Sequence, residues 1–93
     1  MIISFRHKGL KELYEEGATA RLPQERIRKI KDLLTILDSA EKLEDLNHSG
    51  FRLHHLKKPP LLGCYSIDVS GNYRLVFRFS FGQVSDVDFL DTH

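Results

Sequence analysis

Apolar residues recur along this chain in two rhythms, and the change from one to the other divides it near position 50. Ile2, Ile3 and Phe5 form a short β-prone opening with no turn residue before Gly9, which predicts a first strand over residues 1–6. Leu10, Leu13 and Tyr14 then fall at i, i+3 and i+4, and Gly17 stands where a left-handed C-terminal cap belongs, so a helix is expected over 7–16. Pro23, Gln24 and Glu25 make a favourable first turn for a second helix, because proline loses no hydrogen bond there and acid suits the helix dipole. Ile27, Ile30, Leu33, Leu34 and Leu37 carry that helix to Asp38 as an apolar stripe, which reads as core, with Arg26, Arg28, Lys29 and Lys31 on the remaining surface. Ser39-Ala40-Glu41-Lys42-Leu43 can cap and start a further short turn with Leu46 tucked in, and Asn47-His48-Ser49-Gly50 stops it.

From Phe51 onward the period is two. Strands are expected over 51–56, 64–69, 73–79 and 84–90, separated by a loop at 57–63 containing Pro59-Pro60 and by turns at Ser70-Gly71-Asn72 and Phe81-Gly82-Gln83. Tyr65, Ile67 and Val69 share one face, while Tyr73, Leu75, Phe77 and Phe79 alternate with Arg74, Val76 and Arg78. The order predicts an α+β fold: β-α-α, then a four-strand antiparallel meander, with the two helices packed on one face of the sheet. The other face is then open and partly basic through Arg74 and Arg78, a groove suited to an anionic ligand.

Bulk properties narrow the classes. A chain of 93 residues with 41% apolar content closes one core, so residues 1–93 are expected to be one domain. The lone Cys64 excludes an internal disulfide and fits a reducing, cytoplasmic compartment. No run reaches the length of a membrane span, and the opening lacks the features of a signal peptide, so no membrane association is expected. With 14 Lys and Arg against 13 Asp and Glu, the net charge demands no polyanionic partner, and the distribution of charge matters more than its sum.

Histidines stand at His7, His48, His54, His55 and His93, without the spacing of a zinc site; neither a metal nor a cofactor is expected. His54 and His55 precede Lys57 and Lys58, and His93 follows Asp91 at the end of the last strand. If neighbouring strands bring these ends together, histidine, carboxylate and cations converge. Such a set suits RNA hydrolysis by internal attack, because the 2′-hydroxyl already lies beside its own phosphate and needs only a base, an acid and charge stabilisation. Each residue also has an ordinary reading: histidines on a half-exposed strand, Arg74 and Arg78 on a solvated sheet face, two lysines in a soluble loop, and a frayed final residue.

Several ordered segments resemble one family from end to end. The opening Ile3-Ser4-Phe5-Arg6-His7-Lys8-Gly9-Leu10, then Leu37-Asp38-Ser39-Ala40 and Leu43-Glu44-Asp45-Leu46, then Phe51-Arg52-Leu53-His54-His55-Leu56-Lys57, and finally Tyr65-Ser66-Ile67-Asp68-Val69 with Gly71-Asn72-Tyr73-Arg74-Leu75-Val76-Phe77 are similar to the HigB toxins of the RelE and ParE superfamily. The asparagine-aromatic-arginine triplet at Asn72-Tyr73-Arg74 is the most specific word among them.

The resemblance implies a RelE-like fold and the toxin of a type II toxin–antitoxin pair: an endoribonuclease that cuts mRNA on the 70S ribosome without metal. It further implies neutralisation by a cognate HigA-type helix-turn-helix antitoxin, with operator DNA met only indirectly through that antitoxin. It assigns His54, Asp91 and His93 to catalysis and Lys57 and Arg74 to phosphate contacts; Arg78 joins these as a further phosphate-binding candidate on the same strand face. His55 stands where the family commonly has proline, and Thr92 replaces the tyrosine of a terminal Asp-Tyr-His, removing a ring that could stack on a base. A second reading is a non-catalytic ParE-like toxin that binds and poisons DNA gyrase, against which the acid–base set argues. A third is an interaction domain without activity, which the fold alone permits. In either toxin the antitoxin is expected on the outer helices, where Arg26, Arg28 and Lys29 offer a basic surface.

Overall fold

A computed structural model describes residues 1–48 and 50–91. Helix α1 (Lys8–Glu16) starts where the His7 ring Nδ1 accepts the Leu10 N–H at 3.3 Å, and it stops at Gly17, whose φ of 74° is the left-handed conformation that glycine adopts without steric cost. After a 3₁₀ turn at Gln24–Arg26 comes α2 (Ile27–Ser39). A second 3₁₀ turn, Leu43–Leu46, is anchored by Asp45, whose carboxylate accepts the Glu41 and Lys42 N–H groups at 3.0 and 3.2 Å. Those two bonds hold the Asp45 carboxyl below the ordinary carboxylate range.

Four strands follow, β1 (His54–His55), β2 (Tyr65–Asp68), β3 (Tyr73–Ser80) and β4 (Gln83–Asp91), in the sheet order β1-β2-β3-β4, each pair antiparallel. Leu10 and Leu13 of α1 and Ile30, Leu33 and Leu37 of α2 join Ile67, Leu75, Phe77, Val84 and Val87 of the sheet in one buried cluster. At roughly 1.5–3 kcal/mol for each side chain fully removed from water, this layer far outweighs exposed ion pairs at about 0–1 kcal/mol apiece. Among the described residues no helix is long and apolar enough to cross a membrane.

Two expected strands are shorter than their sequence pattern. Residues 1–6 pair with β4 as two isolated parallel bridges, Ile2 with Val84 and Phe5 with Val87, and not as a continuous strand. The interruption lies in β4 itself: Asp86, at φ 53°, is the extra residue of a bulge, and its N–H is taken by the Ser4 hydroxyl at 2.8 Å rather than by a backbone carbonyl. The same bulge explains why Val84 and Val87, three apart, are both fully buried. In the predicted strand over 51–56 only His54 and His55 pair regularly, because Arg52 at φ 52° breaks the extended run.

Candidate functional site

The strand register writes out the face that the helices leave uncovered. His54 lies opposite Ser66, Ser66 opposite Val76, and Val76 opposite Asp88, so these four form one row across the sheet. Directly opposed residues of an antiparallel pair share a face, and two residues along a strand advance about 6–7 Å. The next row therefore holds Asp68, Arg74 and Leu90, and on the other side of the His54 row Arg78 stands opposite Ser85. Ser66 and Val76 are buried and make the floor, while His54 and Arg78 are exposed and Arg74 partly so.

Over this floor the chain from β1 to β2 doubles back. Leu56 donates its N–H to the Cys64 carbonyl at 2.8 Å and accepts that of Gly63 at 3.0 Å, which closes a loop around the Pro59-Pro60 pair. The loop and the sheet enclose an open cleft of about 400 Å³ whose walls include His54, Lys57, Lys58, Leu61 and Arg74. A histidine, two lysines and an arginine thus share one open space. Three cations suit a polyanion, and the imidazole gives the cleft proton-transfer capacity.

A smaller groove of about 270 Å³ runs between α1 and α2, against Leu13, Tyr14, Lys31, Leu34, Thr35 and Asp38. Its carboxylate is already engaged: one Asp38 oxygen accepts the Ile2 N–H at 2.9 Å and the Tyr14 hydroxyl at 2.8 Å. The Ile2 bond is the main reason the Asp38 carboxyl sits below its ordinary range, and the bond to Asp38 pushes the Tyr14 hydroxyl up. This groove holds a structural tie and no proton-transfer pair, so the cleft at His54 is the better candidate for chemistry.

The remaining candidates are distributed differently. The Nε of Arg78 lies 3.5 Å from Asp86 Oδ2, away from the cleft walls. Asp91 ends β4 opposite Tyr73, in phase with Phe89, whose ring stacks on Tyr73 with centroids 5.0 Å apart; Leu90, not Asp91, faces the Arg74 row. Moreover β1 and β4 are separated by two strands, so the convergence of neighbouring strand ends expected from the sequence does not arise between His54 and Asp91. His93 and Thr92 fall outside the described residues. His55, next along β1, stacks its ring on Tyr65 with centroids 4.7 Å apart and also borders the cleft. Among the described residues no three His, Cys, Asp or Glu side chains gather as a metal site requires.

Two residues near this face, Arg52 and Asp68, are not among the candidates drawn from the sequence. Asp68 Oδ1 lies 3.7 Å from Arg74 Nε, and Asp68 Oδ2 lies 3.5 Å from Arg52 Nε. Asp68 and Arg74 stand three positions either side of Gly71, so mirror symmetry about the predicted turn was the one clue to their pairing.

Comparison with known proteins agrees with this architecture. Residues 3–93 match the family model described as the RelE-like toxin of the type II toxin–antitoxin system HigB. The chain is 39% identical over 93 residues to a Proteus vulgaris protein named Endoribonuclease HigB, with both chains covered in full. It is 35% identical over 95 residues to Toxin HigB-1 of Vibrio cholerae serotype O1, covering all of this chain and 98% of the other. The solved YoeB-YefM complex from Staphylococcus aureus contains a chain with the same fold, at a TM-score of 0.61 and 19% identity, matched over all of this chain and 95% of that one.

Proposed function

The chain belongs to the RelE-like HigB toxins of type II toxin–antitoxin systems, and on that premise we propose that it is a ribosome-dependent endoribonuclease that cuts mRNA by metal-independent 2′-hydroxyl attack. The observation that carries this reading is the cleft in which His54, Lys57 and Arg74 meet on the helix-free side of the sheet. In the reaction the 2′-oxygen forms a bond to the adjacent phosphorus as the bond from phosphorus to the 5′-oxygen breaks. One proton passes from the 2′-hydroxyl to a base and another from an acid to the leaving 5′-oxygen, giving 2′,3′-cyclic phosphate and 5′-hydroxyl ends. His54 is one proton-transfer group and His93 the other, with Asp91 orienting a histidine; Lys57 and Arg74 hold the phosphoryl oxygens as their negative charge grows, and Arg78 contacts the strand further along.

The partner in this reading is a HigA-type helix-turn-helix antitoxin, through which alone the toxin meets operator DNA, and the compartment is the cytoplasm. The exposed Arg28 and Lys29 of α2 offer the antitoxin a basic surface; Arg26 contributes less than expected, being half-buried with its Nε enclosed.

Primer extension on a defined mRNA, with and without purified ribosomes, tests the activity. Cuts that appear only with ribosomes and vanish in a His54→Ala variant are the expected result. Absence of cuts in both conditions, with growth inhibition retained in the variant, would replace this reading with a binding toxin that poisons gyrase.

A further inference from the structure

The row beside His54 contains an arrangement that stability does not explain. One carboxylate, Asp68, faces two guanidinium groups, Arg52 at 3.5 Å and Arg74 at 3.7 Å, and the two arginine side chains are 70% and 42% exposed. Ion pairs this long and this exposed contribute little to folding. The arrangement also has costs. Asp68 Oδ1 is enclosed and has no hydrogen-bond partner among the described residues, and Arg52 adopts a left-handed backbone conformation disfavoured for any residue with a Cβ. A buried oxygen without a hydrogen bond and a strained residue paired with the same carboxylate mark a place held for something other than packing.

Both contacts are made through Nε, and both arginine side chains keep substantial exposure through which a guanidinium can meet a ligand. One negative charge against two positive ones leaves the row cationic, and it lies one two-residue step from His54 on the same face. We infer that Asp68 is a positioning residue that aligns Arg74 on the scissile phosphate and Arg52 on the RNA phosphate flanking it. The inference rests on the ribonuclease reading and adds Arg52 to the RNA-binding residues. Asp68 touches no reacting atom; it sets where two cations sit, and loss of that alignment moves Arg74 relative to the phosphate it steadies.

The sign of its effect separates this role from others. Removing a carboxylate from an RNA-binding face raises affinity for a polyanion, so a spectator Asp68 predicts cleavage that is unchanged or faster in Asp68→Asn. A positioning Asp68 predicts the opposite split: RNA bound as tightly as by the wild type or tighter, kcat lower by about ten- to a hundredfold, as small misplacements of a catalytic cation produce, and an unchanged melting temperature. Arg52→Gln should raise KM and reduce the slope of log affinity against log salt by roughly 0.7, the loss of one phosphate contact to a single strand. The Nε–H NMR resonances of Arg52 and Arg74 should both shift in Asp68→Asn in the absence of RNA.

The assay is single-turnover cleavage of ribosome-bound mRNA by wild type, Asp68→Asn and Arg52→Gln. Wild-type cleavage with Asp68→Asn at full rate, or arginine resonances that do not move, overturns the positioning role and leaves the ribonuclease reading intact. Failure of the wild type to cut at all overturns both.

Discussion

Asp38 gives the sharpest test of how the N-terminal segment is held. Its carboxylate, at the end of α2, accepts the Ile2 N–H at 2.9 Å and so joins the helix layer to the segment beside β4. Asp38→Ala leaves that partly buried N–H unpaired. A hydrogen bond to a charged group contributes about 1.5–3 kcal/mol, and partial exposure favours the lower end, about 1.5 kcal/mol. The second bond, from the exposed Tyr14 hydroxyl, adds little because water replaces it. For a domain of this size the loss corresponds to a fall in Tm of about 6–12 °C, and Asp38→Asn, which keeps an acceptor, should lose about half as much.

The pH dependence has a definite sign. The folded state holds the Asp38 carboxyl below the ordinary 3.8, so its contribution is fully present above that value and disappears as pH falls through the depressed one. Tyr14 shifts the opposite way, raised above 10.0, so its share is present below that value and lost in strong alkali. Thermal melts by circular dichroism across a pH series should therefore show wild type and Asp38→Asn converging in acid. An Asp38→Ala variant melting with the wild type at pH 7, or a gap to Asp38→Asn that persists unchanged into strong acid, would refute the argument.

Three further outcomes are expected. The hairpin between β3 and β4 turns through Phe81 and Gly82 at φ 48° and 79°, the pattern of a type I′ turn that favours Asn-Gly, and the Phe81 ring is fully exposed. Phe81→Asn should raise stability by about 0.5–1 kcal/mol in urea denaturation, and a loss would show that the ring packs on something in solution. Ser66 is fully buried with its hydroxyl unpartnered among the described residues, so Ser66→Ala should be neutral or slightly stabilising by melting temperature, whereas a loss above about 1 kcal/mol would reveal a hydrogen bond to ordered water. Arg28→Glu should weaken antitoxin binding about tenfold or more by calorimetry, and unchanged affinity would move the interface off α2.

Legibility in the sequence followed the range of the interaction. The stripe at Ile30, Leu33, Leu34 and Leu37, the cap at Gly17 and the alternation from Tyr73 to Phe79 each rest on spacings of a few residues, and each appears in the structure where expected. The N-terminal strand failed as a continuous element because its partner carries a bulge at Asp86, and nothing near residues 1–6 announces an irregularity some eighty positions away. Arg78 is equivalent to Arg74 by alternation, yet the cleft includes Arg74 alone of the two, and Arg78 lies instead beside Asp86 of β4. For His93 the sequence offers a position after a strand, and the described residues end before it.

What the sequence determined by itself was composition of each surface: local period assigns side chains to a face, and backbone sterics assign glycine and proline to turns. Which faces then meet was decided only in three dimensions. Strand order placed His54 and Asp91 on separate outer strands, register put Arg74 beside Asp68, and loop closure carried Lys57 over the row. The Asp68–Arg74 pair spans a single turn, but the strand order and the row beneath the loop join residues far apart in the chain, so they depend on the simultaneous closure of loops around one buried core, a condition no short window of sequence contains.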